Sequence, residues 1–501
     1  MKIPNSKRHR NLGAFSLAAL LLAARGGAAE KWAVHEWGTF TSLQDETGEA
    51  IGGINTDDEP VPPFVHELAG FLLLRPTEVP NIFFQGAPSC HPDVTMRLET
   101  PVIYFHPPKS ETGVQHADVR VKFRGGWLTE FYPDAWPTAP GFKDYVSGRL
   151  GPQRLFQFGP LSSNTESQLT WSRLLLGGHW PPTNTTAHVW TSPRAVQAAS
   201  VQTTNGESEK FLFYRGVAHR NAPLKISRDA NTGELLFRSQ LEDFPGDRPL
   251  PVCPVWLADI QPGGKVAFRP LPPLTLDHNS RKILAHTPAT FAADEFDSHN
   301  LDKLKVSLQM ALVADGLFAD EAQALLNTWE LSYFKSPGLR VFFLVPRAWT
   351  DFYLPLEISL PAELQRVMVG RIELVTPEQR EKLQEISHFT APQIRQEAGQ
   401  LFTNFYGKIT FSFLTNRSSE QAMRQAVLEV NRDMAQVNAG QMKLASFIPV
   451  PKTYQTYLDL GRFRNALVLT DALHHPALTN FIATYRLEGY QTAEIPPAPA
   501  K

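Results

Sequence analysis

The sequence predicts an α+β protein, in which an N-terminal antiparallel β-sandwich-like half precedes a mixed α+β half. Two observations carry this prediction. Up to about residue 273, apolar and polar residues alternate in short segments, which is the period of half-buried strands. After about residue 299, the apolar spacing becomes that of helices with strand-like runs between them. We place the β-rich domain at residues 30–280 and the α+β domain at residues 281–495.

Composition limits the class of protein. The 501 residues are 42% hydrophobic, enough for a large core, which excludes a disordered or collagen-like chain. Basic residues number 48 and acidic residues 50, giving a formal net charge of −2. Binding to a polyanion requires a surplus of basic residues. We therefore expect no nucleic acid among the partners.

The first 29 residues have the pattern of a signal peptide. Four basic residues precede an apolar run of 13 residues from Leu12 to Ala24, and the small residues 27–29 follow it. A membrane-spanning helix needs about 20 apolar residues, so this run is too short for a stable anchor. We expect export to the periplasm or the cell exterior, with the mature, soluble chain beginning near Glu30.

Export changes the interpretation of the two cysteines. An oxidising compartment permits a disulfide between Cys90 and Cys253. Two separate buried thiols agree with the sequence equally well, so both interpretations stay open.

Strands are predicted throughout the first domain. The clearest hairpin joins Ala117–Phe123 to Trp127–Tyr132 through Gly125 and Gly126, because two glycines suit the positive φ angles of a two-residue turn. Other strands are predicted at Trp32–Thr41, Val102–His106, Leu169–Leu175 and Lys210–Val217, and in a hairpin of Leu224–Arg228 with Glu234–Arg238.

Helices enter in the second domain. The sequence predicts helices from Leu301 to Gly316 and from Asp320 to Phe334. Capping boxes at Thr376–Gln379 and Ser418–Gln421 predict two more helix starts. Strands are predicted at Leu339–Val345, Leu354–Ile358 and Val367–Val375, and residues 496–501 are predicted to be a flexible tail.

Four segments resemble those of a family of exported, uncharacterised bacterial proteins. They are His-Glu-Trp-Gly-Thr-Phe-Thr at residues 35–41, Arg97–Phe105, Lys210–Gly216 and Val369–Leu374. The resemblance covers most of the mature chain. It implies export and no particular activity, so it assigns no catalytic residue.

A metal site is one hypothesis for the first domain, because five of the 15 histidines lie between residues 35 and 116. Catalytic zinc needs three converging nitrogen or oxygen ligands. His91 with Asp93, and His116 with Asp118, have the i, i+2 spacing that places both side chains on one strand face. His35 is a further candidate, since a half-buried imidazole in a strand needs a partner. Surface or hydrogen-bonded histidines are the alternative.

A calcium site is the second metal hypothesis. Asp57 and Glu59 have the alternate spacing of the opening of a calcium loop, although Pro60 stands where an EF-hand has glycine. A solvated acidic loop is the alternative.

Two further groups of residues are candidates for catalysis or binding. Glu130 and Asp134 lie among aromatic residues, which suits carbohydrate binding or the carboxylate pair of a glycosidase. Packing of the aromatic rings in the core is the alternative. Arg347 and Asp351 follow a predicted buried strand, where an exposed loop can hold functional residues. A simple Arg–Asp ion pair is the alternative there.

We expect an exported protein that binds a ligand or partner, carbohydrate or cell-envelope material, through loops of the β-rich domain. One alternative is a metal- or carboxylate-dependent hydrolase around His35, His91, His116 and Glu130, with Ca²⁺ or Zn²⁺ as the possible cofactor. Another is a structural assembly subunit. Nucleotide-driven and typical α/β-hydrolase chemistry are disfavoured, because their glycine-rich motifs are missing. The oligomeric state is left open.

Overall fold

The structure is a computed structural model that describes residues 31–487 with gaps. The gaps are residues 57–60, 69–82, 85–86, 89, 112, 140–141, 145–155, 159, 242, 253, 416–443 and 445–447. Several sequence predictions lie outside the described residues: the signal peptide, the tail at 496–501, Asp57, Glu59, Cys253 and the helix starting at Ser418.

More of the described residues lie in strands than in helices. In the described residues the strands are β1 (Trp32–Gln44), β2 (His66–Glu67), β3 (Phe83–Phe84), β4 (Ala87–Pro88), β5 (Met96–His106), β6 (Gln115–Arg124), β7 (Gly126–Tyr132), β8 (Trp136–Thr138), β9 (Phe142–Asp144), β10 (Phe156–Phe158), β11 (Glu166–Leu176), β12 (Val201–Gln202), β13 (Ser208–Glu209), β14 (Leu212–Ala218), β15 (Leu224–Arg228), β16 (Glu234–Ser239), β17 (Leu250–Val252), β18 (Val255–Ile260), β19 (Val266–Leu271), β20 (Leu274–Leu276), β21 (Ile283–Pro288), β22 (Gly338–Leu344), β23 (Leu356–Ile358) and β24 (Ala362–Leu374).

Helices lie mostly in the C-terminal half. They are α1 (His188–Arg194), α2 (Asn300–Ala314), α3 (Ala319–Thr328), α4 (Arg347–Tyr353), α5 (Pro377–His388), α6 (Ala391–Thr415), α7 (Lys452–Leu458), α8 (Arg464–Ala472) and α9 (Ala477–Tyr485), with a 3₁₀ turn at Ala293–Glu295 and a π-helical turn at Glu330–Lys335. Antiparallel sheets in the first half and helices in the second confirm the predicted α+β class.

A nine-stranded sheet forms the centre of the molecule, with strand order β19-β18-β22-β24-β1-β5-β14-β7-β2. All its pairs are antiparallel except β1 with β24, which run parallel from Trp32 opposite Ala362 to Gln44 opposite Leu374. β22 and β24 come from beyond residue 280 and the other strands from before it. The predicted boundary at residue 280 therefore does not separate two hydrophobic cores.

A six-stranded sheet packs against one face of the large sheet. Its main path is β13-β12-β11-β6-β23, and β8 pairs with β11. The core between the two sheets includes Val34 and Phe105 from the large sheet and Val121 and Trp171 from the small one, all at most 1% exposed. This double layer has the sandwich-like form that the sequence predicts, with β23 as its strand from the second half.

Helices cover the opposite face of the large sheet. Leu304 and Leu308 of α2 and Leu325 of α3 pack with Trp37 and Phe342 in one buried cluster. The C-terminal helices α5 to α9 form a further core that reaches Leu43 and Trp127. The helix-covered face thus buries the side chains of β1 that point away from the sandwich.

Most predicted elements match the structure, and one predicted connection is wrong. β6 and β7 do not form a hairpin: β6 pairs with β11 and β23, whereas β7 pairs with β14 and β2. Apolar and polar residues alternate along β6, but every residue of β7 is buried. A strand that is covered on both faces cannot share the half-wet sheet of β6, so the chain turns a corner at Gly125 and enters the central sheet.

Two predictions in the second half have clear local outcomes. Thr376 caps α5 as expected: its Oγ1 accepts from the Gln379 backbone N–H at 3.4 Å, while its own N–H donates to Gln379 Oε1 at 3.0 Å. The predicted helix over residues 320–334 is interrupted, since α3 ends at Thr328 and the chain continues as a π-helical turn.

In the described part of the chain, none of the helices is both long and apolar enough to cross a bilayer.

The corner at Gly125 gives a test of the fold. Gly125 has φ +86°, and a Cβ there would lie 2.7 Å from Nη2 of Arg220, whose guanidinium donates to Ser163 O at 2.7 Å. We expect Gly125→Ala to lower the free energy of unfolding by about 2–4 kcal/mol, the sum of backbone strain and crowding. Gly206 is the control, because its φ is +95° and a Cβ at that position would meet no atom within 4 Å.

Gly206→Ala should lower the free energy of unfolding only by the backbone strain, about 1–2 kcal/mol. Urea unfolding of both variants measures the difference. Equal losses would show that Arg220 does not pack against the corner as described.

Candidate functional site

Three separate segments bring acidic, basic and amide side chains together in the β-rich region, two residues along the chain from an exposed tryptophan. β2 supplies His66, and the turn between β12 and β13 supplies Asn205 and Glu207. Asp134 lies between β7 and β8, and Trp136 begins β8. We call these five residues the Trp136 patch.

The backbone around Asp134 is held from both sides. The indole N–H of Trp171, in the sandwich core, donates to Pro133 O at 2.9 Å. The backbone N–H of Asp134 donates to Glu207 Oε2 at 2.7 Å, and Asn205 Nδ2 donates to Asp134 Oδ2 at 2.9 Å. The patch is therefore built on fixed backbone rather than on a free loop.

His66 and Glu207 form its acid–base pair. His66 Nε2 lies 2.9 Å from Glu207 Oε2 and 3.0 Å from Oε1, and the imidazole stacks on the buried ring of Phe131 at 5.7 Å. The side chains of His66 and Glu207 are 32% and 29% exposed. Solvent, and hence a ligand, reaches both.

The pKa values of the three titratable groups of the patch are shifted in different directions. The hydrogen bond to Glu207 raises the pKa of His66 against the effect of burial. Burial works to raise the pKa of Glu207, but the hydrogen bonds from His66 and from the Asp134 backbone leave it lowered. Burial raises the pKa of Asp134. Two neighbouring carboxyl groups thus have pKa values displaced in opposite directions.

A second cluster lies on the helix-covered face of the large sheet. His35 Nδ1 of β1 is 2.8 Å from Glu321 Oε2, and His106 Nε2, at the end of β5, is 2.9 Å from Glu321 Oε1. The backbone N–H of Phe318 donates to Glu321 Oε2 at 2.8 Å. The Glu321 side chain is completely buried, and those of His35 and His106 are 7% and 11% exposed. We call His35, His106 and Glu321 the His–His–Glu cluster.

His35 is more buried than the sequence suggests, and its partner is Glu321. Among the histidines, cysteines and carboxylates that the structure describes, the His–His–Glu cluster is the group of three whose donor atoms all lie within 4.8 Å of one another. His91, His116 and Glu130 do not belong to it. His35, His91, His116 and Glu130, the residues of the predicted hydrolase site, therefore do not form a single cluster.

Glu130 and Asp134 have different surroundings, although they are close in the chain. Glu130 is 4% exposed, and its Oε2 is 3.4 Å from Nη1 of Arg215 within the central sheet. Asp134 belongs to the Trp136 patch. Of the aromatic residues that surround Glu130 and Asp134 in the sequence, Tyr132 is buried and Trp136 is 67% exposed. The core-packing alternative thus applies to Tyr132 but not to Trp136.

The two predicted His–Asp pairs lie in different surroundings, one with a buried histidine and one exposed. His91 is buried, its Nδ1 accepts from the Asp93 backbone at 3.2 Å, and Asp93 Oδ2 accepts from the Leu161 backbone at 3.1 Å. His116 and Asp118 are exposed and line a shallow cavity of about 310 Å³ together with Arg173. A guanidinium in its wall disfavours a cation in that cavity.

Arg347 and Asp351 lie on α4 and not on the loop that the sequence suggests. Arg347 Nε donates to Asp351 Oδ2 at 3.3 Å, one helical turn apart, and Arg366 Nη1 donates to Asp351 Oδ1 at 2.9 Å. The hydrophobic strand β22 is followed by two residues and then directly by this helix. Arg347 and Asp351 therefore form the ion pair that was one of the two interpretations of these residues.

Nothing in the sequence points to Glu321, to Glu207 or to the partner roles of His66 and His106. Glu321 is separated from His35 by 286 positions and Glu207 from His66 by 141. In the antiparallel pairing of β1 with β5, His106 lies opposite Ala33, which is two residues from His35. This register brings His35 and His106 to the same face of the sheet. The only local signal was the histidine density between residues 35 and 116, which includes His66 and His106 but not their carboxylates.

Comparison with known proteins identifies no family. No family model matches the chain, and no curated protein matches it. Among solved structures, the chain is similar to the Fcho1 Mu homology domain of Danio rerio with bound Eps15 peptide. The TM-score is 0.24 and the identity 9%, over 69% of this chain and 96% of that chain. A likeness at this score is too low to support an inference.

The His66–Glu207 pair predicts a defined pH dependence. The raised pKa of His66 gives stability that is complete below the ordinary histidine value of about 6.5 and is lost as pH rises through the folded pKa. The lowered pKa of Glu207 gives stability that is complete above the ordinary glutamate value of about 4.3 and is lost as pH falls through the folded pKa. The pair is therefore strongest between about pH 4.3 and 6.5.

A double-mutant cycle with His66→Ala and Glu207→Ala, followed by urea unfolding, measures this coupling. We expect about 0.5–1 kcal/mol at pH 5.5, because both side chains are partly exposed, and less than half of that at pH 9. A coupling that is equal at both pH values would contradict the ionic pair.

Proposed function

We propose that this is an exported protein that binds carbohydrate of the cell envelope through the Trp136 patch. The exposure of Trp136 supports the proposal most directly: 67% of this large indole is in contact with solvent, two residues from the half-buried Asp134. Large apolar rings exposed beside polar groups are typical of ligand-binding surfaces.

The chemistry of the patch suits a polyhydroxylated ring. The apolar C–H face of a sugar can stack on the indole of Trp136, while the hydroxyl groups need hydrogen-bond acceptors around its edge. The carboxylates of Asp134 and Glu207 are such acceptors, and hydrogen bonds to ionised oxygens are stronger than neutral ones. Asn205 Nδ2, which donates to Asp134, holds that carboxylate in place.

Charge narrows the ligand class. The patch contains two carboxyl groups, Asp134 and Glu207, against one imidazole, His66, so its acidic groups outnumber its basic ones. A phosphorylated or sulfated ligand would be repelled there. A neutral saccharide or an amino sugar with a free ammonium group is compatible with the charge, so the proposed ligand class is neutral or amino-sugar polysaccharide.

A glycoside hydrolase at the same patch is the second candidate. It is favoured by the opposite displacement of the pKa values of Asp134 and Glu207, because an acid and an ionised carboxylate in one site are the usual groups for this reaction. Asp134 would be the acid in this case. Release of reducing ends from a bound polysaccharide distinguishes the hydrolase from a binding protein.

Replacing Trp136 with alanine tests the proposal. We expect the mature protein to bind neutral or amino-sugar oligosaccharides on a glycan array, and we expect Trp136→Ala to weaken that affinity at least tenfold in calorimetric titration. An aromatic side chain that anchors a ligand typically contributes about 2 kcal/mol or more to binding, and about 1.4 kcal/mol is a factor of ten. The control is Met310→Ala, which removes an apolar side chain that is similarly exposed, at 69%, on α2.

Met310→Ala should bind like the unchanged protein. Absence of binding to every glycan on the array, or equal weakening by both variants, would contradict the proposed function. Reducing-end analysis of the same incubations reports on hydrolysis.

A further inference from the structure

The His–His–Glu cluster is independent of the Trp136 patch, and its residue types are those of a metal centre. Two imidazole nitrogens and one carboxylate converge from β1, β5 and the first turn of α3. Three protein ligands of this kind, leaving one position for water, are a common zinc set. We propose that His35, His106 and Glu321 bind one divalent transition-metal ion of the zinc type.

The distances need only a small adjustment to admit the ion. The imidazole nitrogens are 2.8 and 2.9 Å from the Glu321 oxygens, and all three donors lie within 4.8 Å. A tetrahedral ion with bonds of about 2.1 Å separates its ligand atoms by roughly 3.4 Å. The two imidazoles contact different oxygens of Glu321, so each contact has to open by about half an ångström and the carboxylate has to rotate or bind the ion through both oxygens.

Phe318 supports the cluster in the way that a metal site needs, through its backbone and through its ring. The backbone N–H of Phe318 holds Glu321 Oε2 at 2.8 Å and so fixes the direction of the carboxylate. The Phe318 ring packs against both imidazoles, with centroid distances of 4.5 Å to His35 and 4.8 Å to His106. Phe318 is itself 47% exposed, so it shields the cluster while leaving it close to solvent.

The donor set decides between the two ions that the sequence left open. Calcium takes six to eight oxygen ligands, and two of the three donors here are nitrogens. Imidazole with carboxylate suits zinc and its neighbours in the first transition series. The site is therefore assigned to Zn²⁺ chemistry and not to Ca²⁺, and its residues are distinct from the acidic stretch at Asp57 and Glu59 that suggested calcium.

The alternative is a hydrogen-bonded cluster without metal, in which both imidazoles donate to Glu321. This alternative needs no ion, because Glu321 also accepts from the backbone of Phe318 at the start of α3. The two interpretations differ in stoichiometric metal binding. Zinc alone is the probe, applied to the mature chain after dialysis against a chelator.

Competition titration with a chromophoric zinc chelator is the first measurement. We expect one zinc ion per chain. The dissociation constant for zinc should be at least 100-fold larger in His106→Gln and in Glu321→Gln. The matched control is His286→Gln, because His286 also contacts a glutamate, Glu234, at 3.2 Å, but on an exposed strand edge. Its affinity should equal that of the unchanged protein.

Cobalt substitution makes the test independent of how the variants fold. Co²⁺ bound to the unchanged protein by two nitrogens and an oxygen in a tetrahedral site gives strong visible absorption, which one equivalent of zinc should abolish. Less than about 0.1 equivalent of zinc bound to the unchanged protein, or cobalt absorption that survives zinc, would overturn the proposal. Zinc binding of folded His106→Gln equal to that of His286→Gln would also overturn it.

Discussion

The burial of β1 on both faces is the constraint on which the rest of the structure depends. β1 lies between β24 and β5 in the central sheet, and all its residues except Ala33 are buried. The strand nevertheless contains ionisable and hydroxyl side chains. Such groups are stable in a core only when another group pairs with them. Glu36 accepts from Arg366 Nε and from Tyr214 OH, each at 2.6 Å, and Thr41 donates to Glu99 at 2.8 Å. The partners of β1 therefore connect distant parts of the chain.

The two faces of β1 have different consequences. On the sandwich face, Glu36 and Arg366 tie β1 to β24 inside the core. On the helix-covered face, His35 has to reach Glu321, which fixes the start of α3 against the sheet. The convergence of nitrogen and oxygen donors thus follows from satisfying a buried imidazole, and the proposed metal site would make a second use of the same three side chains. The Trp136 patch instead lies where edge strand β2 and short turns meet solvent, which is why its groups stay accessible.

The sequence predicted the local structure well and the long-range pairing poorly. Alternation in residues 117–123 identified β6, and the capping box at Thr376 identified the start of α5, because both depend on neighbours in the chain. The Gly125–Gly126 turn was interpreted as a hairpin, since nothing local shows that β7 is covered on both faces. Asp134 was identified as a candidate through the aromatic residues around it. Glu207 and Glu321 were not, because their roles depend on strand register and helix docking between segments far apart in the chain.

Hydrogen exchange of the backbone amides, analysed by mass spectrometry of peptides, tests the central position of β1 most directly. Amides of a strand paired on both sides and buried on both faces exchange only through global unfolding. Peptides from β1 and β24 should therefore exchange with the same free energy and respond alike to added denaturant, while β19, at the edge of the sheet, exchanges faster. Exchange of β1 at the rate of β19, or with a denaturant dependence different from that of β24, would contradict the account.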